Sequence, residues 1–365
     1  MALQCGIVGL PNVGKSTLFN ALSNAKAEAA NYPFCTIEPN VGVITVPDER
    51  LKVLEALVVP ERVLPTVIEF VDIAGLVKGA SKGEGLGNKF LANIREVNAI
   101  IHVIRCFDDM NIVHVEGTVN PVKDKEIIDT ELQLRDLDSV DKKIQKVEKM
   151  ARAGDAKSKR ELATLLQYKE HLEAGQSARS LVVDAEDKLA IEDLNLLTDK
   201  PVIYLANVDE AAVITGNEYV ETLRKSIAGE NAQLIMVCAA IESQIAEMET
   251  PEEREMYLGE YGLQESGLNK LIKASYAILN LITYFTAGVK EVRAWPITKG
   301  WKAPQAAGVI HSDFEKGFIR AEVIKMSDYE LYKSENACKE AGKMSVEGKD
   351  YTVQDGDIMH FRFNV

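Results

Sequence analysis

The segment that most restricts the possible folds is a glycine-rich stretch near the start of the chain, GLPNVGKS at residues 9–16. It matches the pattern G-x-x-x-x-G-K-[ST], follows the strand-like run 5–8 and precedes the helical run 16–25. In this context the glycines let several backbone N–H groups point into one concavity, and the helix N-terminus adds partial positive charge. A chance match in an ordinary turn is disfavoured by the flanking strand and helix. The stretch therefore predicts a phosphate-binding loop in an α/β domain.

Further residues fit a nucleotide switch. Lys15 supplies a point charge for the β- and γ-phosphates, and the Ser16 hydroxyl is expected to bind Mg²⁺. An apolar run ends in Asp72, which opens a D-x-x-G pattern. Asp72 is expected to hold Mg²⁺ through water, and the Gly75 N–H to sense the γ-phosphate. Because Thr36 lies between these two elements and is expected to reach both the metal and the γ-phosphate, the set predicts a core like that of switch GTPases.

The base-recognition segment departs from the guanine-specific pattern. Guanine sites of this fold carry N-K-x-D after a strand, because the aspartate accepts hydrogen bonds from the base and the lysine packs over it. Here the strand-like run 202–206 is followed by Asn207, Val208, Asp209 and Glu210, so a valine and a longer acid replace the lysine and the aspartate. Unmatched buried polar groups discriminate strongly, whereas backbone groups around Val208 suit adenine. The segment favours adenine, and a displaced guanine site that uses Asp209 stays the alternative.

The residue that handles the attacking water must differ from that of small GTPases, which place glutamine directly after D-x-x-G. Leu76 holds that position here. Among five histidines, His114 lies in a polar turn after a strand, on the nucleotide-facing side of the predicted sheet, whereas His102 alternates within that strand and is interpreted as structural. His114 is therefore the candidate catalytic residue, and a purely structural histidine is the alternative.

Asn12 adds a candidate cation ligand inside the phosphate loop. Its amide oxygen is placed to coordinate a K⁺ ion beside the phosphates, where the ion would neutralise charge in the transition state. The alternative is a loop asparagine that stabilises its own turn. The expected cofactors are therefore Mg²⁺ and, through Asn12, K⁺.

The domain organisation follows from the length and from the order of the predicted elements. A chain of 365 residues favours two or three domains. Its first 120 residues alternate strands and helices, and strands at 201–207 and 233–239 resume this order. Between them, residues 124–200 predict an inserted antiparallel hairpin of helices. Its heptad-like apolar positions are Leu137, Val140, Ile144, Val147 and Ala151 on the first helix, and Leu162, Leu165 and Leu172 on the second.

The charge of this hairpin indicates a nucleic-acid surface. The whole chain has a formal net charge of −14, yet residues 142–160 hold eight basic and two acidic residues. Phosphate contacts need clustered cations, and this cluster lies at the end of a projecting hairpin. The candidates for RNA contact are Lys143, Lys146, Lys157 and Arg160. A solvated helical face is the alternative.

The remaining features concern the second half of the chain and its location. From residue 283 onward, short strands with many glycines and turns predict a separate α+β domain. No run approaches the ~20 apolar residues of a membrane-spanning helix, and the start lacks the basic segment of a signal peptide. The five cysteines are scattered without C-x-x-C spacing and predict reduced thiols, Cys35 among them. A cytoplasmic protein is expected.

Over nearly the whole chain these motifs resemble the Obg-like ATPase, or YchF, family. The resemblance is carried by residues 9–16, FCTIEPN at 34–40, DIAGLVKGA at 72–80, GEGLGN at 83–88 and NVDE at 207–210. In the C-terminal part, YFTAG at 284–288, APQAAG at 303–308 and HSDFEKGF at 311–318 resemble the family's TGS domain. The resemblance implies ATP preferred over GTP, association with ribosomes or RNA, and catalysis by His114 with Leu76 as the hydrophobic replacement for glutamine.

Three hypotheses of function follow. The first is an Mg²⁺-dependent ATPase switch, the second a GTPase of the Obg or HflX type, and the third an RNA- or ribosome-binding adaptor with incidental hydrolysis. The predicted fold is an α/β P-loop NTPase (G domain, residues 1–282) with an inserted antiparallel α-helical coiled-coil hairpin, followed by a C-terminal α+β TGS domain (residues 283–365). The residues expected to bind ATP are Asn12, Val13, Gly14, Lys15, Ser16, Thr17, Asn207 and Val208; the metal ligands are Ser16, Thr36 and Asp72, and the switch residues are Thr36, Asp72, Gly75 and Leu76.

Overall fold

The structure, a computed structural model, describes residues 3–24, 40–73, 86–230 and 232–364. Four residues named above, Cys35, Thr36, Gly75 and Leu76, lie outside the described residues. The described strands are β1 (Gln4–Val8), β2 (Val41–Thr45), β3 (Val63–Leu64), β4 (Val67–Asp72), β5 (Ala99–Arg105), β6 (Val202–Asn207), β7 (Gln233–Val237), β8 (Leu281–Ala287), β9 (Val292–Thr298), β10 (Phe318–Lys325), β11 (Met344–Glu347) and β12 (Asp357–Phe363). The described helices are α1 (Lys15–Asn24), α2 (Glu49–Val58), α3 (Leu86–Glu96), α4 (Pro121–Arg152), α5 (Ala156–Glu173), α6 (Ala185–Ala190), α7 (Glu218–Ser226), α8 (Ala239–Glu247), α9 (Pro251–Glu260), α10 (Gly267–Ile278), α11 (Ala303–Ile310), α12 (Ser312–Lys316), α13 (Met326–Tyr332) and α14 (Glu335–Glu340).

The chain divides into two compact units. Among the described residues, the second unit contains Val43–Ile68 and residues 272–364, and the first contains the rest. The segment Val43–Ile68 joins the second unit because Leu51 and Leu54 of α2 are buried with Phe285 and Val292, and β3 pairs with β9. The predicted limits at 282 and 283 remain a prediction.

The first sheet has the strand order β2-β4-β1-β5-β6-β7, and β1 pairs in parallel with both β4 and β5. Strand β6 is parallel to both β5 and β7. Every residue of β5 and β6 is buried, as expected for strands of a parallel sheet that is covered on both faces. This includes His102, which is 2% exposed and whose pKa burial lowers to about 3. The α/β architecture predicted for this region is confirmed.

The parallel strands bring the predicted site residues to one edge of the sheet. The phosphate loop follows β1, Asp72 ends β4, the turn with His114 follows β5, and Asn207 ends β6. Because the carboxyl ends of parallel strands meet at the same edge, four distant parts of the sequence converge there.

Two helices, α4 and α5, form the inserted element. The Asn120 carboxamide accepts a hydrogen bond from the backbone N–H of Lys123 and caps α4, and Asp155 caps α5 through the N–H of Ser158. One hydrophobic cluster joins the helices, and seven of the eight apolar positions predicted for the hairpin belong to it or pack against it: Leu137, Val140, Ile144, Val147, Leu162, Leu165 and Leu172. The pattern of apolar residues therefore identified the contacting faces.

The second sheet has the strand order β11-β10-β12-β8-β9-β3. Strand β10 is antiparallel to β11 and β12, and β8 is antiparallel to β9. One face packs against α11, with Tyr284 donating a hydrogen bond to the carbonyl of Ala306 over 2.9 Å. Helix α10 ends at Ile278, and Asn280 before β8 adopts a left-handed conformation with φ of 54°. No helix in the described part of the chain is long and apolar enough to span a membrane.

Candidate nucleotide site

The phosphate loop depends on left-handed backbone at two positions. Asn12 has φ of 63° and Gly14 has φ of 94°. A Cβ atom at Gly14 would lie 2.2 Å from the side-chain nitrogen of Asn207, which itself donates a hydrogen bond to the carbonyl of Val13 over 2.9 Å. The second glycine of the motif is thus required by both its conformation and the close approach of Asn207. Thr17 and Ser16 are exposed in the first turn of α1.

Lys15 and Asp72 form an ion pair in which the ammonium contacts Oδ1 of the carboxylate. The Lys15 side chain is 10% exposed and that of Asp72 is 17% exposed. The contact brings Asp72 beside Lys15, the residue that precedes Ser16 in the phosphate loop. Among the described residues no group of three or more His, Cys, Asp or Glu side chains is placed to hold a metal.

Asn207 organises the segment expected to face the base. Its side chain is 2% exposed, and Oδ1 accepts a hydrogen bond from the N–H of Ala239 over 3.0 Å at the start of α8. Val208 is also 2% exposed, and its N–H donates to the carbonyl of Val237 over 2.9 Å. The Asp209 carboxylate accepts the N–H of Ala212 over 2.9 Å. Val208 therefore presents no side chain to a base, while the exposed Asp209 uses one carboxylate oxygen within its own turn.

Arg105, which sequence reasoning did not single out, shapes the loop between β5 and His114. Its guanidinium is buried and donates to three backbone carbonyls, those of Phe107, Ile112 and Asp109, over 3.0, 2.9 and 3.2 Å. A buried arginine is costly unless its donors are satisfied, and here the loop satisfies them. The signal in the sequence was a charged residue ending an otherwise apolar strand.

His114 is buried, and both of its ring nitrogens have partners. Nε2 lies 2.9 Å from Oδ2 of Asp124, and Nδ1 accepts a hydrogen bond from the N–H of Glu116 over 3.2 Å. The preceding residue, Val113, accepts a hydrogen bond from the side-chain nitrogen of Asn12 over 3.1 Å. The turn that carries His114 is thereby tied to the phosphate loop, and the Asn12 amide oxygen remains on the opposite side of its carboxamide.

The four residues expected to contact RNA fall into two classes. Lys143 is only 12% exposed and pairs with Glu161 and Asp193 of the same unit. Arg160 pairs with two acidic residues of α6. Lys146 and Lys157 are exposed, and neither has an ion pair with a described residue. The acidic partners lie outside the window counted in the sequence, so its excess of positive charge overstates the charge that the tip presents.

Two parts of the chain match families of known proteins. Residues 4–157 match the family described as 50S ribosome-binding GTPase, and residues 281–364 match a family of YchF C-terminal regions described as a protein of unknown function. The ribosome-binding ATPase YchF of Haemophilus influenzae is 58% identical over 365 residues, covering 100% of both chains. The chain belongs to the YchF family. The ribosome-binding ATPase YchF of Bacillus subtilis is 57% identical over 367 residues, again covering 100% of both chains.

Solved structures agree with this membership. The YchF GTPase of Schizosaccharomyces pombe superposes with a TM-score of 0.90 at 42% identity, covering 99% of this chain and 97% of that one. A GTP-binding protein from Pyrococcus horikoshii OT3 superposes with a TM-score of 0.62 at 21% identity, covering 99% of this chain and 100% of that one, and supports the fold alone. The family resemblance, the P-loop G-domain fold and a distinct C-terminal domain are confirmed.

Proposed function

We propose that the chain is an Mg²⁺-dependent ATPase that binds and hydrolyses ATP in preference to GTP and acts as a nucleotide-dependent switch on the ribosome. Relatives at 57% and 58% identity over their whole length are named ribosome-binding ATPases, which supports hydrolysis and the ribosomal partner. The names of the relatives do not decide between ATP and GTP. The fission-yeast relative is called a GTPase, and so is the family matched by residues 4–157. The choice of base rests on the segment after β6.

The observation that carries the proposal is the geometry of Val208 and Asp209. A valine side chain that is 2% exposed cannot cover a base as a lysine does, and the Asp209 carboxylate already accepts the N–H of Ala212. Glu210 is exposed and opens a short 3₁₀ turn. Guanine would leave its N1 and N2 donors without a matched acceptor, and buried unmatched donors are penalised heavily. Adenine has no donor at either of these two positions, so this segment favours ATP.

A calorimetric titration of the purified protein with ATP and with GTP tests the proposal. We expect ATP to bind at least about tenfold more tightly, because a site that leaves polar groups unpaired rejects the wrong ligand. Changing Val208→Lys and Glu210→Asp together should restore GTP binding at the expense of ATP. The single change Glu210→Asp, which leaves the valine in place, is the matched control. Equal dissociation constants for ATP and GTP in the wild-type protein would contradict the choice of adenine.

Metal and phosphate binding are assigned to the phosphate loop and to the ends of β1 and β4. Ser16 and Asp72 supply oxygen ligands for Mg²⁺, with Thr36 as the ligand expected from the part of the chain outside the described residues. The Lys15 ammonium, which contacts Asp72, is expected to turn to the phosphates when ATP binds. Bound Mg²⁺ would neutralise charge on the phosphate oxygens. A K⁺ ion on the Asn12 amide oxygen would add to this neutralisation.

Water handling is assigned to His114, because the family position of glutamine carries Leu76. His114 lies one residue after Val113, whose carbonyl contacts the phosphate loop through Asn12. A short movement of this turn would bring the ring toward the phosphates. His114 is thus the proposed catalytic residue, and Leu76 and Gly75 belong to the proposed second switch.

The proposed domain roles follow the family. Helices α4 and α5 are proposed to form a coiled-coil hairpin that contacts ribosomal RNA, and residues 283–365 a TGS domain. A cytoplasmic location is part of the proposal, supported by relatives that are named ribosome-binding ATPases. The adaptor hypothesis, in which hydrolysis is incidental, predicts that Lys15→Ala leaves ribosome binding unchanged. The switch hypothesis predicts that ribosome binding of Lys15→Ala no longer responds to ATP.

A further inference from the structure

A buried acidic residue on the first turns of α4 holds the histidine assigned to the water. Asp124 is 2% exposed, and its Oδ2 lies 2.9 Å from Nε2 of His114. The second carboxylate oxygen, Oδ1, is buried with no hydrogen-bond partner among the described residues. Leaving a carboxylate oxygen without a partner is costly in the interior. An acid in the first turn of α4 is favoured by the helix dipole, but this does not account for a buried oxygen without a partner.

The hydrogen bonds of the ring fix its tautomer. The backbone N–H of Glu116 can only donate, so Nδ1 of His114, 3.2 Å away, must carry a lone pair and no proton. In the neutral ring the proton then resides on Nε2 and is donated to Asp124. The carboxylate thus selects one tautomer and leaves Nδ1 as the basic nitrogen.

The two contacts of the ring differ in strength. The contact to Asp124 is the shorter one and involves a charged acceptor, and such bonds are about twice as strong as neutral ones. The contact to Glu116 is longer and comes from the backbone of the turn. When the turn moves, Nδ1 is therefore released first while Nε2 stays on Asp124. A histidine held in this way by a carboxylate can take a proton at its free nitrogen, because the carboxylate stabilises the resulting imidazolium.

We propose that Asp124 is the positioning residue for His114: it orients the ring and selects the Nε2–H tautomer, which leaves the lone pair of Nδ1 for the attacking water. This inference rests on the proposed function, which assigns the water to His114. Asp124 itself does not touch nucleotide in this assignment. Its removal should therefore lower turnover and leave ATP affinity intact.

Charged groups of α4 and of the turn act on Asp124. Burial raises the pKa of Asp124, and the hydrogen bond from His114 opposes that rise. Glu116 and Lys123 also act on Asp124, and these two side chains pair with one another over 2.7 Å. Burial, followed by the charge of Asp124, raises the pKa of the Cys106 thiol to about 12. The thiol is therefore neutral near pH 7 and adds no charge beside the pair.

The test is Asp124→Asn in the full chain, measured by steady-state ATP hydrolysis across pH and by ATP titration. We expect kcat to fall at least about tenfold with the dissociation constant for ATP within about twofold of wild type. Asp129→Asn, a change of another carboxylate on α4 that pairs with Lys125 rather than with His114, is the matched control and should keep the wild-type kcat.

The outcomes separate this inference from the function on which it rests. If His114→Ala abolishes turnover while Asp124→Asn matches wild type, the role of Asp124 is overturned and that of His114 stands. If His114→Ala retains turnover, the assignment of the water fails first. A higher kcat in Asp124→Asn would mean that the carboxylate restrains the ring, which also overturns the proposal. Should the asparagine variant fail to fold, Asp124→Glu decides: we expect a lower kcat with unchanged ATP affinity, and an unchanged kcat would refute positioning.

Discussion

The carboxyl edge of the first sheet and the tip of the α4–α5 hairpin belong to the same compact unit but hold their polar groups differently. At the sheet edge Asn207 and His114 are buried, and each is held by a hydrogen bond, Asn207 to the carbonyl of Val13 and His114 to Asp124. At the tip, Lys146 is exposed and has no ion pair with a described residue. A buried polar group needs a fixed partner, whereas an exposed cation is free to meet a ligand.

This difference determines what a substitution can do in each region. At the sheet edge, a change of one atom displaces a partner that has nowhere else to go, so effects should be large and independent of salt. At the tip, each exposed charge contributes little by itself, and its effect should fall as salt rises. The expected effects therefore decrease from the edge to the tip.

The largest expected effect is that of Gly14→Ala. The new Cβ atom would meet Asn207 at 2.2 Å in a backbone conformation with φ of 94°. We expect ATP affinity to fall about 100-fold or more, equivalent to roughly 3 kcal/mol, as judged by calorimetric titration. Gly154→Ala is the matched control. Gly154 has φ of 98°, and a Cβ atom added there would meet nothing within 4 Å apart from its own chain neighbours. It carries the same backbone strain without the clash and should keep ATP affinity while lowering the melting temperature.

Unchanged ATP binding by Gly14→Ala would show that the phosphate loop tolerates displacement of Asn207. In that case the sheet edge would not be the rigid region that the comparison assumes. A loss of ATP affinity in both glycine variants would instead assign the effect to general destabilisation.

A pH-dependent effect is expected at Glu242, a buried residue of α8. It is 3% exposed and accepts the N–H of Gly267 at the start of α10 over 2.6 Å, and burial raises its pKa to about 7. A raised pKa means that the folded state binds the proton more tightly. The stability from this group is therefore full below the unfolded pKa and is lost as the pH rises through about 7.

Glu242→Gln removes this titration. Between pH 5 and pH 8 the free energy of unfolding of the variant should gain roughly 2 kcal/mol relative to wild type, measured by urea denaturation at each pH. Glu247→Gln, an exposed position on the same helix, is the matched control. A constant difference between wild type and Glu242→Gln across this range would show that Glu242 stays charged in the folded protein.

The local structure at the carboxyl edge of the first sheet was predictable from the sequence because its signals are contiguous. The phosphate loop and the strand that ends in Asp72 are short segments whose local pattern determines the backbone. The contacting face of α4 was equally predictable, since Val140 and Val147 recur with heptad spacing. Contacts between segments distant in sequence could not be predicted. Asn207 donates a hydrogen bond to the carbonyl of Val13, and no local pattern around either residue indicates the other.

Charge counting along the sequence failed for the same reason. The window 142–160 predicted a tip with an excess of basic residues, but Glu161 and Asp193 lie outside it and pair with Lys143. The assignment of Val43–Ile68 to the second unit was also missed, because it depends on packing of Leu54 in a hydrophobic cluster. Sequence patterns give local structure, while ion pairs and domain membership depend on tertiary contacts.

The smallest expected effect, and the one that most sharpens the comparison, divides the four basic residues of the hairpin into two pairs. Lys146→Gln with Lys157→Gln removes exposed charges, so ribosome binding should weaken and the slope of log affinity against log salt should flatten by about 0.7–0.9 for each RNA phosphate that is no longer neutralised. Lys143→Gln with Arg160→Gln removes charges already paired within the protein, so it should lower the melting temperature and leave that slope nearly unchanged. Co-sedimentation with ribosomes over a salt series measures both, and ATP hydrolysis by the isolated protein should stay at the wild-type rate. Equal slopes for the two double variants would mean that the ion pairs open on the ribosome and that the distinction between paired and exposed cations does not survive binding.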